Sequence, residues 1–115
     1  MNAPLYDPRD VAFRDPKPRR TYIAGPMSGL TDDNYPAFHA AASVMRALGY
    51  TVENPAENEK PCLDPQWSDW MRVALTQMLR CDSIVLLPGW DKSRGATLEK
   101  QVAEALGMKV LGVGE

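Results

Sequence analysis

The sequence predicts a small α/β domain with a Rossmann-like or flavodoxin-like three-layer fold, built on a parallel sheet of four to five strands. Short apolar runs alternate along the chain with longer segments whose apolar residues recur every three or four positions. This alternation is typical of strands joined by right-handed helical crossovers. The 115 residues suit a single domain, which we expect at residues 20–115.

The segment 1–19 is expected to be a flexible N-terminal arm, because it places four prolines among charged residues. Little apolar surface is available there to offset the entropy lost on ordering. The strands are expected at 21–24, 51–52, 83–87 and 109–113, and the third is apolar enough to be covered on both faces.

Three helices are expected between these strands. The first follows a polar cap within 32–34 and ends at Gly49, and the third runs from about Gly95 to Leu106. The second is expected to begin at Asp64–Pro65, where a capping carboxylate precedes a proline. Its apolar face consists of Trp67, Trp70, Met71, Ala74, Leu75, Met78 and Leu79. For both tryptophans we expect core packing rather than stacking on a ligand.

The composition argues against several classes of function. A net charge of -2 and a pI of about 5.4 give no general attraction to a nucleic acid polymer or a membrane surface. No apolar run approaches the roughly 20 residues that span a bilayer, so a cytoplasmic location is expected. One histidine and two cysteines, Cys62 and Cys81, form neither a metal cluster nor a disulfide framework. We therefore expect no metal and no cofactor.

Ligands of open parallel sheets bind beyond the carboxyl ends of the strands. The loop after the first strand holds Gly25, Met27, Ser28 and Gly29, and it could wrap a ligand with backbone amides or be a plain turn. Asn54 closes the second strand at the same edge. The loop after the third strand adds two further candidates, Trp90 and Asp91. Trp90 could stack on a base or pack in the core, and Asp91 is the better candidate for a second carboxylate.

The segment Ser93–Glu99 carries the strongest chemical signal. Ser93 or Asp91 occupies the capping position, and the first amides of the helix lack internal partners, so they suit an anion such as phosphate. Ser93 and Arg94 could add a hydroxyl and a cationic donor. Gly95, which has no side chain, would let a ligand approach the backbone closely.

Glu99 lies about one turn further along the helix. It shares a helix face with Ala96, Ala103 and Leu106. The helix dipole favours its ionised form by about 0.3–1 kcal/mol, and an ionised carboxylate beside a sugar can attack the anomeric carbon. By spacing alone, a surface glutamate paired with Lys100 or Arg94 is the commoner arrangement. Tyr22, on the first strand, could hold a catalytic carboxylate or be ordinary core.

Four segments together resemble a family of short bacterial and phage proteins of unassigned function. They are Tyr22–Gly29, Asn54–Glu57, Cys81–Trp90 and Ser93–Glu99. That family looks like a branch of the nucleoside 2-deoxyribosyltransferase superfamily, which also contains 2'-deoxynucleoside 5'-phosphate N-hydrolases. The resemblance covers about residues 20–113.

The resemblance implies that Glu99 attacks the anomeric carbon, that the base leaves, and that water or a second base releases the sugar. Tyr22 matches the tyrosine near the nucleophile, and the loop from Gly25 to Gly29 matches the loop around the sugar and phosphate. Ser93 matches a serine that helps bind the 5'-phosphate, which favours a nucleoside 5'-monophosphate. A homodimer is implied as well, because these enzymes complete their sites across subunits.

One position departs from the pattern that the resemblance sets. The enzymes carry an aspartate in the second long helix that helps to protonate the leaving base, and Ala74 stands there in this chain. Either Asp91 or Glu57 replaces it, or the chemistry on the base is weakened. Three hypotheses stay open: an N-glycosidase or deoxyribosyltransferase acting on a nucleotide or nucleoside, a catalytically inactive nucleotide-binding or signalling module, and a structural or partner-binding accessory protein of the phage type.

Overall fold

The computed structural model describes residues 19–112. The expected arm lies outside the described residues, apart from Arg19, and so does Val113 at the expected end of the last strand. The strands are β1 (Arg20–Ala24), β2 (Thr51–Glu53), β3 (Ser83–Leu86) and β4 (Lys109–Gly112), and the helices are α1 (Tyr35–Ala47), α2 (Trp67–Met78) and α3 (Arg94–Ala105). Short 3-10 turns occupy Thr31–Asn34, Pro55–Glu57 and Trp90–Lys92.

The four strands form one sheet in the order β2-β1-β3-β4, and every neighbouring pair is parallel. The central strands β1 and β3 are in register from Thr21 opposite Ser83 to Ala24 opposite Leu86. This arrangement confirms the expected α/β class and the parallel sheet. It also brings the carboxyl ends of β1 and β3 side by side at one edge.

Alternate residues of the central strands feed two separate cores. Tyr22 and Ile84 point to one face, where they pack with residues of α2 and α3. Ile23 and Val85 point to the other face, where they pack with Phe38 and other residues of α1. The sheet is therefore covered on both faces, which explains the apolar character of β3.

The first two helices begin differently from the prediction. Helix α2 starts at Trp67 rather than at Asp64–Pro65, because Gln66 and Asp69 form a reciprocal capping box in which Asp69 accepts the Gln66 backbone N–H at 2.9 Å. The residue before α1 is Asn34, whose side chain does not cap the helix. It donates instead to the Pro26 carbonyl at 2.9 Å and so ties the loop after β1 to the start of α1.

Across residues 19–112, no helix is long and apolar enough to cross a membrane.

The end of α2 allows a direct test of the packing. Met78 is fully buried, whereas Leu79, which the apolar periodicity also placed on the buried face, is 58% exposed. We expect Met78→Ala to lower the free energy of unfolding by about 2–5 kcal/mol, because it leaves a cavity. The matched change Leu79→Ala should alter it by less than about 0.5 kcal/mol. Urea denaturation measures both, and equal losses would contradict this account of the core.

Candidate active site

A cleft of about 470 Å³ opens where β1 and β3 end. Its wall is formed by β1 with the loop that follows it, by the first turns of α2, and by the start of α3. In a parallel sheet, the helix after each strand begins at the carboxyl edge, so the N-terminal ends of α2 and α3 border the same opening. This is the edge at which the sequence predicts a ligand site.

Two buried side chains meet on the wall of this cleft. Glu99 is only 5% exposed and Tyr22 only 1%, and both line the cleft. The Tyr22 hydroxyl donates to Glu99 Oε2 at 2.5 Å. Glu99 is therefore not a surface glutamate. Lys100 pairs with Glu104 at 3.0 Å instead.

Burial raises the pKa of Glu99 to about 7, while the hydrogen bond from Tyr22 acts in the opposite direction. This corrects the expectation that the helix dipole keeps the carboxylate ionised, because removal from water outweighs a dipole contribution of about 0.3–1 kcal/mol. Burial, together with the charge of Glu99, also raises the pKa of Tyr22 well above its usual range. Tyr22 therefore remains a protonated donor, while Glu99 changes its charge near neutral pH.

Ser93, rather than Asp91, caps α3. Its hydroxyl oxygen accepts the Ala96 backbone N–H at 3.1 Å. The helix itself offers no acceptor to the amides of Arg94 and Gly95. Ser93, Arg94 and Gly95 all line the cleft, so two free amides and a guanidinium stand at one end of it.

The two glycines of the site are required by close packing. A Cβ on Gly95 would lie 3.1 Å from Met71 Sδ, so the absence of a side chain lets α2 pack tightly against the start of α3. The approach of a ligand to the Gly95 backbone stays a prediction. A Cβ on Gly25 would lie 2.8 Å from Leu87 Cβ, which keeps the loop after β1 close to the end of β3.

The expectation of core packing for Trp67 and Trp70 was wrong. Both line the cleft, and Trp67 is 39% exposed. The guanidinium carbon of Arg94 lies 3.6 Å from the Trp67 ring centroid, a stacked cation–π contact between α2 and α3. The physical reason is that α2 begins at the carboxyl edge of the sheet, so its first turns border the cleft rather than the core.

Met27 and Ser28 line the cleft as the sequence predicted, but Gly29 does not. Asn54 does not line the cleft either. Its buried side chain accepts the Ala56 backbone N–H at 3.0 Å and so closes the turn after β2.

The two residues predicted from the 3-10 turn before α3 do not line the cleft either. Trp90 packs against the core beside α3, with Lys100 Nζ 5.1 Å from its ring centroid. Asp91 is exposed and lies outside the wall. Its neighbour Lys92 does line the cleft.

Neither of the carboxylates that could stand in for an acid on α2 lines the cleft. Glu57 accepts two hydrogen bonds from Arg46, at 3.0 and 3.1 Å, which lower its pKa, and it does not line the cleft. Ala74 itself lines the cleft. Sequence reasoning also missed Asp33, Tyr35 and Asn58 as parts of the wall; none of them belongs to a motif that could have pointed to it.

Within the part of the chain that the structure describes, no group of histidine, cysteine, aspartate and glutamate side chains could hold a metal ion. Cys81 is buried, and burial raises the pKa of its thiol to about 12. Cys62 is exposed.

With this geometry established, comparison with known proteins defines the family. The family described as "Domain of unknown function (DUF4406)" matches residues 19–112, and the chain belongs to it. No curated protein matches the sequence. The fold is similar to a solved structure of a 2-deoxyribosyltransferase from the psychrotolerant bacterium Bacillus psychrosaccharolyticus. The two share 24% identity and a TM-score of 0.62, over 84% of this chain and 74% of the other. This similarity confirms the fold that the resemblance implies.

The raised pKa of Glu99 predicts a specific pH dependence of stability. The folded protein holds this proton up to about pH 7, whereas the ordinary value is 4.5. The stabilisation from Glu99 is therefore complete below about pH 4.5 and is lost as the pH rises to about 7. Glu99→Gln, which has no such proton, should gain about 3 kcal/mol in unfolding free energy relative to the wild type across this range.

Urea denaturation at a series of pH values measures this difference. Glu59→Gln provides the control, because it makes the same chemical change at an exposed residue. A constant difference for Glu99→Gln would show that the carboxyl group is solvated.

Proposed function

We propose that this protein cleaves or transfers the N-glycosidic bond of a nucleoside 5'-monophosphate or a (deoxy)nucleoside, with Glu99 as the nucleophile. The observation that carries the proposal is the buried pair of Tyr22 and Glu99 on the wall of a cleft. Buried carboxylates with strongly shifted pKa values cluster at functional sites.

The start of α3 suits the phosphate of such a substrate. The free amides of Arg94 and Gly95 and the positive end of the helix dipole attract an anion, and the side chains of Arg94 and Lys92 add two cations. Glu99 follows Arg94 by five residues, about 7.5 Å along the helix axis. A phosphate held at the helix start would therefore leave the attached pentose beside Glu99.

The pair of Tyr22 and Glu99 suits attack on the sugar. Tyr22 donates to Oε2 and fixes the carboxylate, which leaves Oε1 to attack the anomeric carbon. The base departs as the ester forms, and water or a second base then releases the sugar. Because the pKa of Glu99 is about 7, the ionised nucleophile is well populated only at neutral pH and above.

Two further observations bear on the choice of function. The solved structure with a similar fold is described as a 2-deoxyribosyltransferase, which agrees with glycosyl transfer. The catalytically inactive nucleotide-binding module is not favoured, because binding alone gives no reason to bury a carboxylate beside the ligand. The homodimer and the cytoplasmic location stay predictions.

A panel of nucleosides and nucleoside 5'-monophosphates, with ribose and with deoxyribose, tests the proposal. Chromatography should detect free base from at least one of them. We expect Glu99→Gln to lower kcat by at least about a thousandfold, as loss of a nucleophile does in other enzymes. The control is Glu104→Gln on the exposed side of the same helix, which should keep full activity.

The acid limb of the pH profile gives the second readout of this experiment. The value of kcat/KM should rise through about pH 7 as Glu99 ionises. Undiminished activity in Glu99→Gln would rule out the proposed nucleophile, and so would a profile that is flat between pH 5 and 8.

A further inference from the structure

The proposed positions of the phosphate and the sugar determine where the base of the substrate lies. If the phosphate lies at the start of α3 and the sugar at Glu99, the base is left against the wall that α2 provides. The α2 side chains on that wall are Trp67, Trp70, Met71 and Ala74. None of these four is ionisable. Trp67 and Met71 lie against Arg94 and Gly95 at the start of α3, so the α2 surface left for the base is that of Trp70 and Ala74.

The other acids near this wall are engaged in a cap or belong to an element other than α2. Asp69, on α2 itself, accepts the Gln66 backbone N–H in the capping box and does not line the cleft. Among residues 19–112, the carboxylates that line the cleft are Glu99 and Asp33. Asp33 is exposed and belongs to the turn before α1, and α1 packs on the opposite face of the sheet from α2.

The charge of the base decides whether an acid is needed. A neutral base that leaves with the electron pair of the glycosidic bond becomes an anion unless an acid protonates it in the transition state. A base whose ring already carries a positive charge in the intact nucleotide becomes neutral as it leaves. It consumes no proton.

We propose that the preferred substrates are nucleotides whose base is already cationic, such as N-glycosyl pyridinium or N7-alkylated purine nucleotides. This inference rests on the proposed function and names the substrate class of the same site. It follows from an α2 wall that has aromatic rings and no acid, placed beside a buried carboxylate.

Two features support a cationic ligand in this place. The Trp67 ring is already stacked against the Arg94 guanidinium at 3.6 Å, so the tryptophan left for the base is Trp70, and tryptophan faces attract cations in general. Glu99, in turn, has a neutral hydroxyl as its hydrogen-bond partner. A positive charge on the substrate would provide the opposite charge and favour the ionised nucleophile.

The reaction balances without an enzyme acid. Glu99 Oε1 forms a bond to C1' of the sugar while the bond from C1' to the ring nitrogen breaks. The electron pair of that bond passes to the nitrogen and cancels its positive charge, so the base leaves neutral. Water then attacks C1', the carboxylate leaves with its electron pair, and one proton passes to the solvent.

Matched pairs of nucleotides test this inference with the wild-type protein. One pair is nicotinamide mononucleotide and its reduced form, whose base is uncharged. The other pair is 7-methylguanosine 5'-monophosphate and guanosine 5'-monophosphate, whose base is also uncharged. Each is also tested with deoxyribose. The readout is kcat/KM for base release, divided by the uncatalysed rate of the same compound. We expect this ratio to be at least a hundredfold larger for the cationic member of each pair.

Ala74→Asp provides a second test, with Ala74→Asn as the matched control. Ala74 lies one turn after Trp70 on the cleft wall, so the new carboxyl group would enter beside the base. It should raise kcat/KM for guanosine 5'-monophosphate at least tenfold, and more than for the 7-methyl compound. Asparagine should give no such gain.

The possible failures are distinguishable. If the wild type releases neutral bases with ratios as large as those for cationic bases, this inference is overturned and the proposed function stands. If the folded wild type releases no base from any compound, the proposed function falls and this inference falls with it.

Discussion

The hydrogen bond from Tyr22 to Glu99 joins the central strand β1 to helix α3 at a point from which water is largely excluded. Desolvation raises the pKa of the carboxyl group, and the phenol opposes part of that rise. The side chain of an exposed glutamate would titrate in the acid range, and its carboxylate would rotate freely. This one is held in one orientation and changes its charge near pH 7, which is what a nucleophile that must be both positioned and ionised requires. The burial of this carboxyl group also costs stability once the group is ionised.

The fold supplies this arrangement through the parallel sheet. Because β1 and β3 end side by side, the starts of α2 and α3 converge on one cleft, and Gly95 lets Met71 bring the two helices close together. The first turn of α3 then offers amides and cations, and its second turn offers Glu99. Helix α2 contributes only apolar and aromatic surface. In the proposed function, attraction of an anion, attack on a sugar and contact with a base fall to three different parts of one wall.

The sequence predicted the parts of this arrangement that depend on local pattern. Alternating apolar runs indicated the sheet, and the segment Ser93–Glu99 indicated a helix start followed by a carboxylate on an apolar face. Features that depend on distant packing were not accessible. Apolar periodicity shows that Trp67 lies on a helix face but not whether that face meets the core or a cleft, and nothing local reveals that Gly95 meets Met71. The pKa of Glu99 was misjudged for the same reason, because its burial depends on the whole fold.

The central claim is that the Glu99 carboxylate bonds directly to the sugar, and rapid quenching followed by mass spectrometry tests it most directly. Wild-type protein is mixed with a nucleotide that it turns over, quenched with acid within milliseconds, digested and sequenced. The account predicts a sugar phosphate attached through an ester to the peptide that contains Glu99, formed at the rate of base release. Base release with no adduct at any time, or with an adduct on another residue, would contradict it.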